Sequence, residues 1–415
     1  MVTSLIDAMR SMDVDFGVIA GNPIRVGFRD REGEVGELLR AFRFDGVRII
    51  YGPLGCGKST LLNILGRSIN RLRETEPNAT IRIGETNVSV EDVFYLYINY
   101  EKYSVELTAP YLTTDRRSRV LNALMELIDS IAVGSGIASI SGIYDLLNRL
   151  VTEFRMDLSN KWVFIIHDEV DKAYATLASR AGIGNDYGGL EGVIASYAGL
   201  FENFRDELYS KSGAKHVVVV FSMSDQAAVK VTEKLRGKGL LTQYLLWNLP
   251  REPFIDVVNE LMTKVPPSTP VDHELLWKLL GGNLRALATL TIVYSWDVSK
   301  WLRAEVINVL VNGLIRQFIG HGRAYEDEEQ FIGRLRRAGA EPDAVEGIIN
   351  AGNAAYRSNV LIEVSGQTIS QLPREPWIGR YVAYQLPAYY WALRAMAGRG
   401  SINVEPIDII REIQG

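Results

Sequence analysis

An α/β fold, with a parallel sheet covered by helices, is predicted by three features of the chain. The apolar residues Val47, Ile49 and Ile50 lead into a glycine turn that continues into an amphipathic stretch. Further apolar runs at residues 93–100, 162–166 and 216–221 read as buried strands, and helical periodicity fills the intervals as far as Leu249. From Pro250 onward the pattern changes to helices only, with short strands returning in the tail.

The first apolar run leads into the turn Gly52, Pro53, Leu54, Gly55, Cys56, Gly57, Lys58, Ser59, Thr60. Gly52 and Gly57, followed by Lys58 and Ser59, have the spacing of a P-loop, and the turn stands between a strand and a helix as that motif requires. Glycines let successive backbone amides fold around phosphate oxygens without Cβ clashes, and the helix starting near Lys58 points its positive end at them. Lys58 is expected to reach the β and γ phosphates of ATP, and the Ser59 hydroxyl to ligate Mg2+.

The run at residues 162–166 ends in Asp168 and Glu169. Carboxylates at the C-terminal end of a parallel strand sit where such sheets bind ligands. Asp168 is expected to hold the magnesium and Glu169 to orient or deprotonate the attacking water. The next strand exits through Ser222, Ser224 and Asp225, placing side chains where a γ-phosphate could meet them. Arg285 stands in the first turn of a helix that follows Gly281 and Gly282; a cation there suggests a nearby anion.

Composition narrows the classes. At 415 residues the chain is too long for one ordinary core, so about two or three domains are expected. Apolar residues make up 47% and charged residues 23%, the balance of a folded globular protein. The first residues carry scattered charges, unlike a secretory signal, and no uncharged apolar run is long enough for a membrane span. The single cysteine, Cys56, excludes an intramolecular disulfide and points to a reducing, cytoplasmic setting. With a net charge of −5, any nucleic-acid contact must come from a local patch, and Arg116, Arg117 and Arg119 form the densest one in this half of the chain.

Along the chain, residues 1–20 read as an N-terminal helix and residues 32–42 as a helix leading to the first core strand. Pro23, Ile24 and Val26 between them suit either an adenine wall or plain packing. Helices are expected at residues 121–131 and on to Arg155, then after a glycine-rich loop at residues 181–189. Later helices are expected at residues 251–264, 272–280, 328–338 and 343–351. Two short strands around Gly366 and an aromatic segment, residues 377–391, close the chain. Its tyrosines at helical spacing suit a core or a subunit interface better than a base-stacking platform.

With these residues in hand, the chain resembles the AAA+ superfamily, nearest to the archaeal origin-recognition and initiator ATPases and to related archaeal ATPases of the AAA+/STAND type. The likeness rests on GPLGCGKST, on LYINYEKYS, on FIIHDEVDKA as a form of the Walker B motif, and on GGNLRAL, which is similar to the sensor 2 turn, usually Gly-Asp-x-Arg. It implies a P-loop NTPase base over residues 1–249, a helical lid over residues 250–324 and a small winged-helix-like domain over residues 325–415. By position, Arg285 matches the sensor 2 arginine, Arg236 the arginine finger that serves a neighbouring subunit, and Ser224 the sensor 1 position, where Asn is usual. The implied activity is ATP hydrolysis by a nucleotide-driven switch or motor, as a homo-oligomer or with another protein, acting on DNA through Arg116, Arg117 and Arg119. The alternative is a regulatory ATPase whose partner is protein, bound at the aromatic tail. Initiators end in a basic winged helix, whereas Glu341, Asp343 and Glu346 make this tail acidic.

Overall fold

The computed structural model describes residues 2–102, 104–107, 122, 158–171, 194–195, 198–199, 201–202, 205–224, 241–320 and 323–415. Arg116, Arg117, Arg119, Asp225, Arg236, the helices expected from residue 121 to Arg155 (Asn122 apart) and the glycine-rich loop lie outside them. In chain order come helix α1 (Val2–Arg10), strands β1 (Asp13–Ile19) and β2 (Asn22–Gly27), helix α2 (Glu32–Ala41), strand β3 (Gly46–Tyr51) and helix α3 (Lys58–Thr75). Strands β4 (Thr80–Ile83), β5 (Thr86–Ser89), β6 (Val93–Asn99), β7 (Ser104–Leu107) and β8 (Trp162–Asp168) follow, then helix α4 (Arg205–Ser212) and strands β9 (His216–Ser222) and β10 (Leu241–Leu245). The remainder holds α5 (Arg251–Lys264), α6 (His273–Leu280), α7 (Leu284–Ala288), α8 (Glu328–Ala338), α9 (Pro342–Ile349), β11 (Leu361–Glu363), β12 (Val382–Tyr384), α10 (Pro387–Arg399) and α11 (Pro406–Gln414). Contacts divide the chain into two compact units. One comprises Met1–Met12, Arg31–Tyr51 and Lys58–Tyr244, and the other Asp13–Asp30, Gly52–Gly57 and Leu245–Gly415.

The first unit is built on a sheet of order β10-β3-β9-β8-β6-β7. β3, β9, β8 and β6 are parallel, and β7 pairs antiparallel with β6. Every residue of β3, β6, β8 and β9 is buried, which is why they read as largely apolar and not as alternating runs; buried Arg48 in β3 is an exception, its guanidinium donating to the carbonyls of Ala41, Phe44 and Val47. Helix α3 buries Leu61, Leu62 and Leu65. At Gly66 an added Cβ would lie 2.7 Å from the Tyr95 ring, so the glycine lets helix and β6 approach closely. Phe164 stacks on Phe42 with centroids 5.2 Å apart. The parallel register levels Asn99, Asp168 and Ser222 at the strand ends, so three polar residues share one row.

The second unit corrects the reading of residues 1–20 as one helix. Helix α1 ends at Arg10, and residues 13–27 form the antiparallel hairpin of β1 and β2. Asp13, Val14, Asp15 and Phe16 alternate polar and apolar, a strand period, and Ala20 and Gly21 turn with φ of 49° and 83°, the left-handed pair that a two-residue hairpin needs. Ile24 and Val26 are buried in this unit's core with Phe254 and Leu290, whereas Pro23 is exposed, so packing accounts for the first two. Helices α5 and α8 occupy the expected residues; α8 is capped by Asp327, whose carboxylate accepts from Gln330 N–H, and ends at left-handed Gly339. The helix expected after Gly282 stays α-helical only through Ala288, continues as a π-helical turn and stops at left-handed Ser295 and Trp296.

The tail runs α8, α9, a short helix (Ala354–Arg357), β11, β12, α10 and α11. β11 pairs with β12, whose residues follow Gly366 by a long excursion and not immediately as the sequence suggested. Trp377, Tyr384, Tyr389 and Tyr390 are all buried, and one apolar cluster takes in Phe254, Trp277, Trp301 and Phe331 together with them. These rings pack into a core, whereas Tyr381 is half exposed, at 51%. Two of the tail's acids are engaged: Asp343 accepts the backbone N–H groups of Arg380, Tyr381 and Val382, and Glu346 accepts from the Tyr356 hydroxyl.

Candidate functional site

Within the first unit, a carboxylate cluster forms where β6, β8 and β9 end. Asp168 is fully buried. Its Oδ2 accepts from the Tyr97 hydroxyl at 2.6 Å and from Asn99 Nδ2 at 2.9 Å, and its Oδ1 accepts from the Ser59 hydroxyl at 3.1 Å. Tyr97 and Asn99 reach the same oxygen because they are two residues apart on one strand face, and Asn99 lies level with Asp168. Burial pushes the Asp168 carboxyl up, against hydrogen bonds from Tyr97, Ser222 and Ser59 and the charge of Lys58. Burial and the Asp168 charge drive the Tyr97 phenol far above its ordinary value, so it remains a proton donor.

Glu169 has φ of 59°, left-handed backbone that a non-glycine residue adopts at a cost of about 1 kcal/mol or more. Its N–H donates to Ser222 O at 3.1 Å, which holds that turn, and its Oε1 lies 3.4 Å from the Ser59 hydroxyl. Ser59 therefore faces both acids with one hydroxyl. Lys58, at the first position of α3, is buried, and Thr60 is half-buried in the same turn. Ser224 gives both its N–H, at 3.1 Å, and its hydroxyl proton, at 2.6 Å, to Oδ2 of Asp171. Ser59 and Asp168 present a hydroxyl and a carboxylate oxygen side by side, a hard-oxygen pair of the kind magnesium takes alongside water.

The second unit contains the glycine turn that runs covalently into Lys58. Gly55 and Gly57 have φ of 86° and 95°, and Cys56 N–H donates to Pro53 O at 3.1 Å. Such a left-handed, glycine-bearing turn aims backbone amides into a concavity suited to an anion. At Gly52 a Cβ would lie 2.0 Å from Leu246 O, so no larger residue fits. Cys56 is buried. Arg285 lies against the turn: a Cβ on Gly55 would meet Arg285 Cβ at 2.2 Å. The structure thus brings Ser59, Asp168 and Glu169 together in one unit, and Arg285 and Gly55 in the other. Tyr97 was missed by sequence reasoning, although its spacing of two from Asn99 carried the signal.

A family model for an ATPase domain predominantly from Archaea matches residues 28–290, more than half of the chain. Among solved structures, the ORC2 protein of Aeropyrum pernix in its ADP form is 17% identical over 80% of this chain and 79% of its own, with a TM-score of 0.37. The same protein in its ADPNP-ADP complexes is 15% identical over 80% of each chain, with a TM-score of 0.36. No curated protein matches the chain in sequence.

Proposed function

The chain belongs to the family of ATPase domains found predominantly in Archaea, and on that premise we propose that it is an ATP-driven switch whose phosphate chemistry is carried by residues 52–60, Asp168 and Glu169. The observation that supports this most is the convergence of Ser59 on Asp168 and Glu169 at the carboxyl end of a parallel sheet. Gly52, Pro53, Gly55, Cys56 and Gly57 shape the turn that cradles phosphate oxygens, Lys58 neutralises β and γ charge, and Thr60 continues the cradle into α3. Ser59 and Asp168 would hold Mg2+, which supplies charge neutralisation on the phosphate oxygens when bound. Glu169 orients the attacking water and accepts its proton as the oxygen bonds to the γ phosphorus and ADP departs. Ser224, its donors given to Asp171, acts by fixing that acid. Arg285 answers γ-phosphate charge from beside the glycine turn, and Arg236 is assigned to a neighbouring copy's site.

Among the described residues no helix is long and apolar enough to cross a membrane. For a partner, we favour duplex DNA held by Arg116, Arg117 and Arg119, with a protein seated on the tail as the alternative; the burial of Trp377, Tyr384, Tyr389 and Tyr390 leaves less aromatic surface for the latter. ATP turnover measured with and without duplex DNA, together with mass in solution with ATP, tests the whole reading. Turnover that DNA stimulates, in an assembly that forms with ATP, supports it; a monomer indifferent to DNA contradicts the DNA and trans-arginine parts.

A further inference from the structure

Two buried amides grip the outer edge of the glycine turn, and one of them belongs to the C-terminal segment. Gln385 Oε1 accepts from Leu54 N–H at 3.0 Å, and its Nε2 donates to Leu361 O at 3.3 Å. Its own N–H donates to Val360 O at 3.0 Å, so Gln385 ties the turn to the residues around β11. From the other side Asn283 Nδ2 donates to Leu54 O at 2.9 Å and to Asn248 Oδ1 at 3.1 Å, while its Oδ1 caps α7 through Ala286 N–H at 2.9 Å. Gln385 and Asn283 are both 2% exposed, whereas the Leu54 side chain is 39% exposed. Leu54 is therefore held at both its N–H and its carbonyl.

Leu54 stands between Pro53 and Gly55, with Gly52 and Gly57 beyond them, and the glycines are the residues that lose the most freedom when the turn is ordered. A turn ordered before the ligand arrives leaves less of that cost to the binding step. We propose that Gln385 and Asn283 are positioning residues of the phosphate turn, and that through Gln385 the C-terminal segment senses whether the turn holds a nucleotide. The inference rests on the phosphate-binding reading of residues 52–60. Linkage makes it reciprocal: if the grip on Leu54 favours nucleotide, bound nucleotide must tighten the grip by the same factor.

The side-chain chemistry is specific. Asn283→Asp can still cap Ala286 N–H, but it has no N–H for the Leu54 carbonyl and sets two acceptors face to face. Gln385→Met fills similar space with no acceptor for Leu54 N–H, whereas Gln385→Glu keeps the acceptor and loses the amide donor that reaches Leu361.

The test uses the full chain, with ADP as probe in titration calorimetry, ATP turnover, and hydrogen exchange over residues 361–386 with and without ADP. Gln385→Met and Asn283→Asp should raise Kd and KM about tenfold, the scale of one lost hydrogen bond. The rate at saturation should fall less than about twofold, because the hydrolytic acids are untouched. Gln385→Glu should bind within about threefold of wild type. ADP should slow exchange over residues 361–386 in wild type, and Gln385→Met should abolish that slowing. Unchanged or tighter ADP binding by Gln385→Met overturns the proposal, as does unchanged binding by Asn283→Asp should the first variant not fold. A wild type that binds ADP with no change in tail exchange overturns the sensing alone. A wild type that binds no ADP overturns the phosphate reading as well.

Discussion

The Tyr97 hydroxyl donates to Oδ2 of Asp168 at 2.6 Å, and Asn99 Nδ2 holds the same oxygen, which leaves Oδ1 to Ser59. A buried carboxylate fixed by two donors presents its other oxygen in a constant direction, and such supporting residues commonly govern metal affinity. Tyr97→Phe keeps the ring and removes the donor. ATP turnover is expected to fall, or its magnesium requirement to rise, by about 10-fold to 100-fold, read from a magnesium titration of the rate. An unchanged rate and midpoint would remove Tyr97 from the site.

Gly55 combines left-handed backbone with the Arg285 side chain where its Cβ would be. Gly55→Ala therefore strains the turn by about 1–2 kcal/mol and pushes Arg285 aside. Calorimetry with ADP should show affinity lower by more than about tenfold, and the urea midpoint should fall by no more than that strain accounts for. Binding at the wild-type affinity would mean that the turn's shape is not what receives phosphate.

Asp45 accepts from Val217 N–H at 3.0 Å and pairs with His216 Nδ1 at 2.6 Å. Burial raises its carboxyl, but the hydrogen bond and charge of His216 outweigh that and bring it down to about 2. A folded-state value below the unfolded one stabilises the protein above the unfolded value and loses that contribution as pH falls through the folded one. Asp45→Asn should lower stability at pH 7 by about 2 kcal/mol, and the gap to wild type should close between about pH 4 and pH 2. Urea midpoints across that range check it; a gap that ignores pH contradicts the ionic origin.

Because residues 250–324 and the tail share one core, removing the tail would expose it, and the DNA reading is better tested on the surface. Replacing Arg116, Arg117 and Arg119 together by Ala should weaken duplex binding and reduce its log-log salt slope by about three. Retention of both affinity and slope would place the contact elsewhere or nowhere.

Elements with local signals were legible. Asp327 and Gly339 mark both ends of α8, and the apolar runs of β3, β6, β8 and β9 identify strands buried on both faces. Asp168 and Glu169 stood out because acids ending such a run have few other uses. The hairpin of β1 and β2 was hidden because Val14, Phe16 and Val18 extend the apolar content of α1 without keeping its period. β12 was hidden because Trp377 to Trp391 reads as one aromatic helix, although Val382–Tyr384 pairs with β11 before Pro387 starts α10. The Gln385 contact with Leu54 spans 331 positions and has no local signature.

ATP binding measured beside phosphate release in Glu169→Gln separates phosphate binding by Lys58 from hydrolysis driven by Glu169. The variant should bind ATP as wild type does and release phosphate about 10² times more slowly, with Lys58→Ala losing the binding itself. A Glu169→Gln protein that hydrolyses ATP at the wild-type rate would contradict the account.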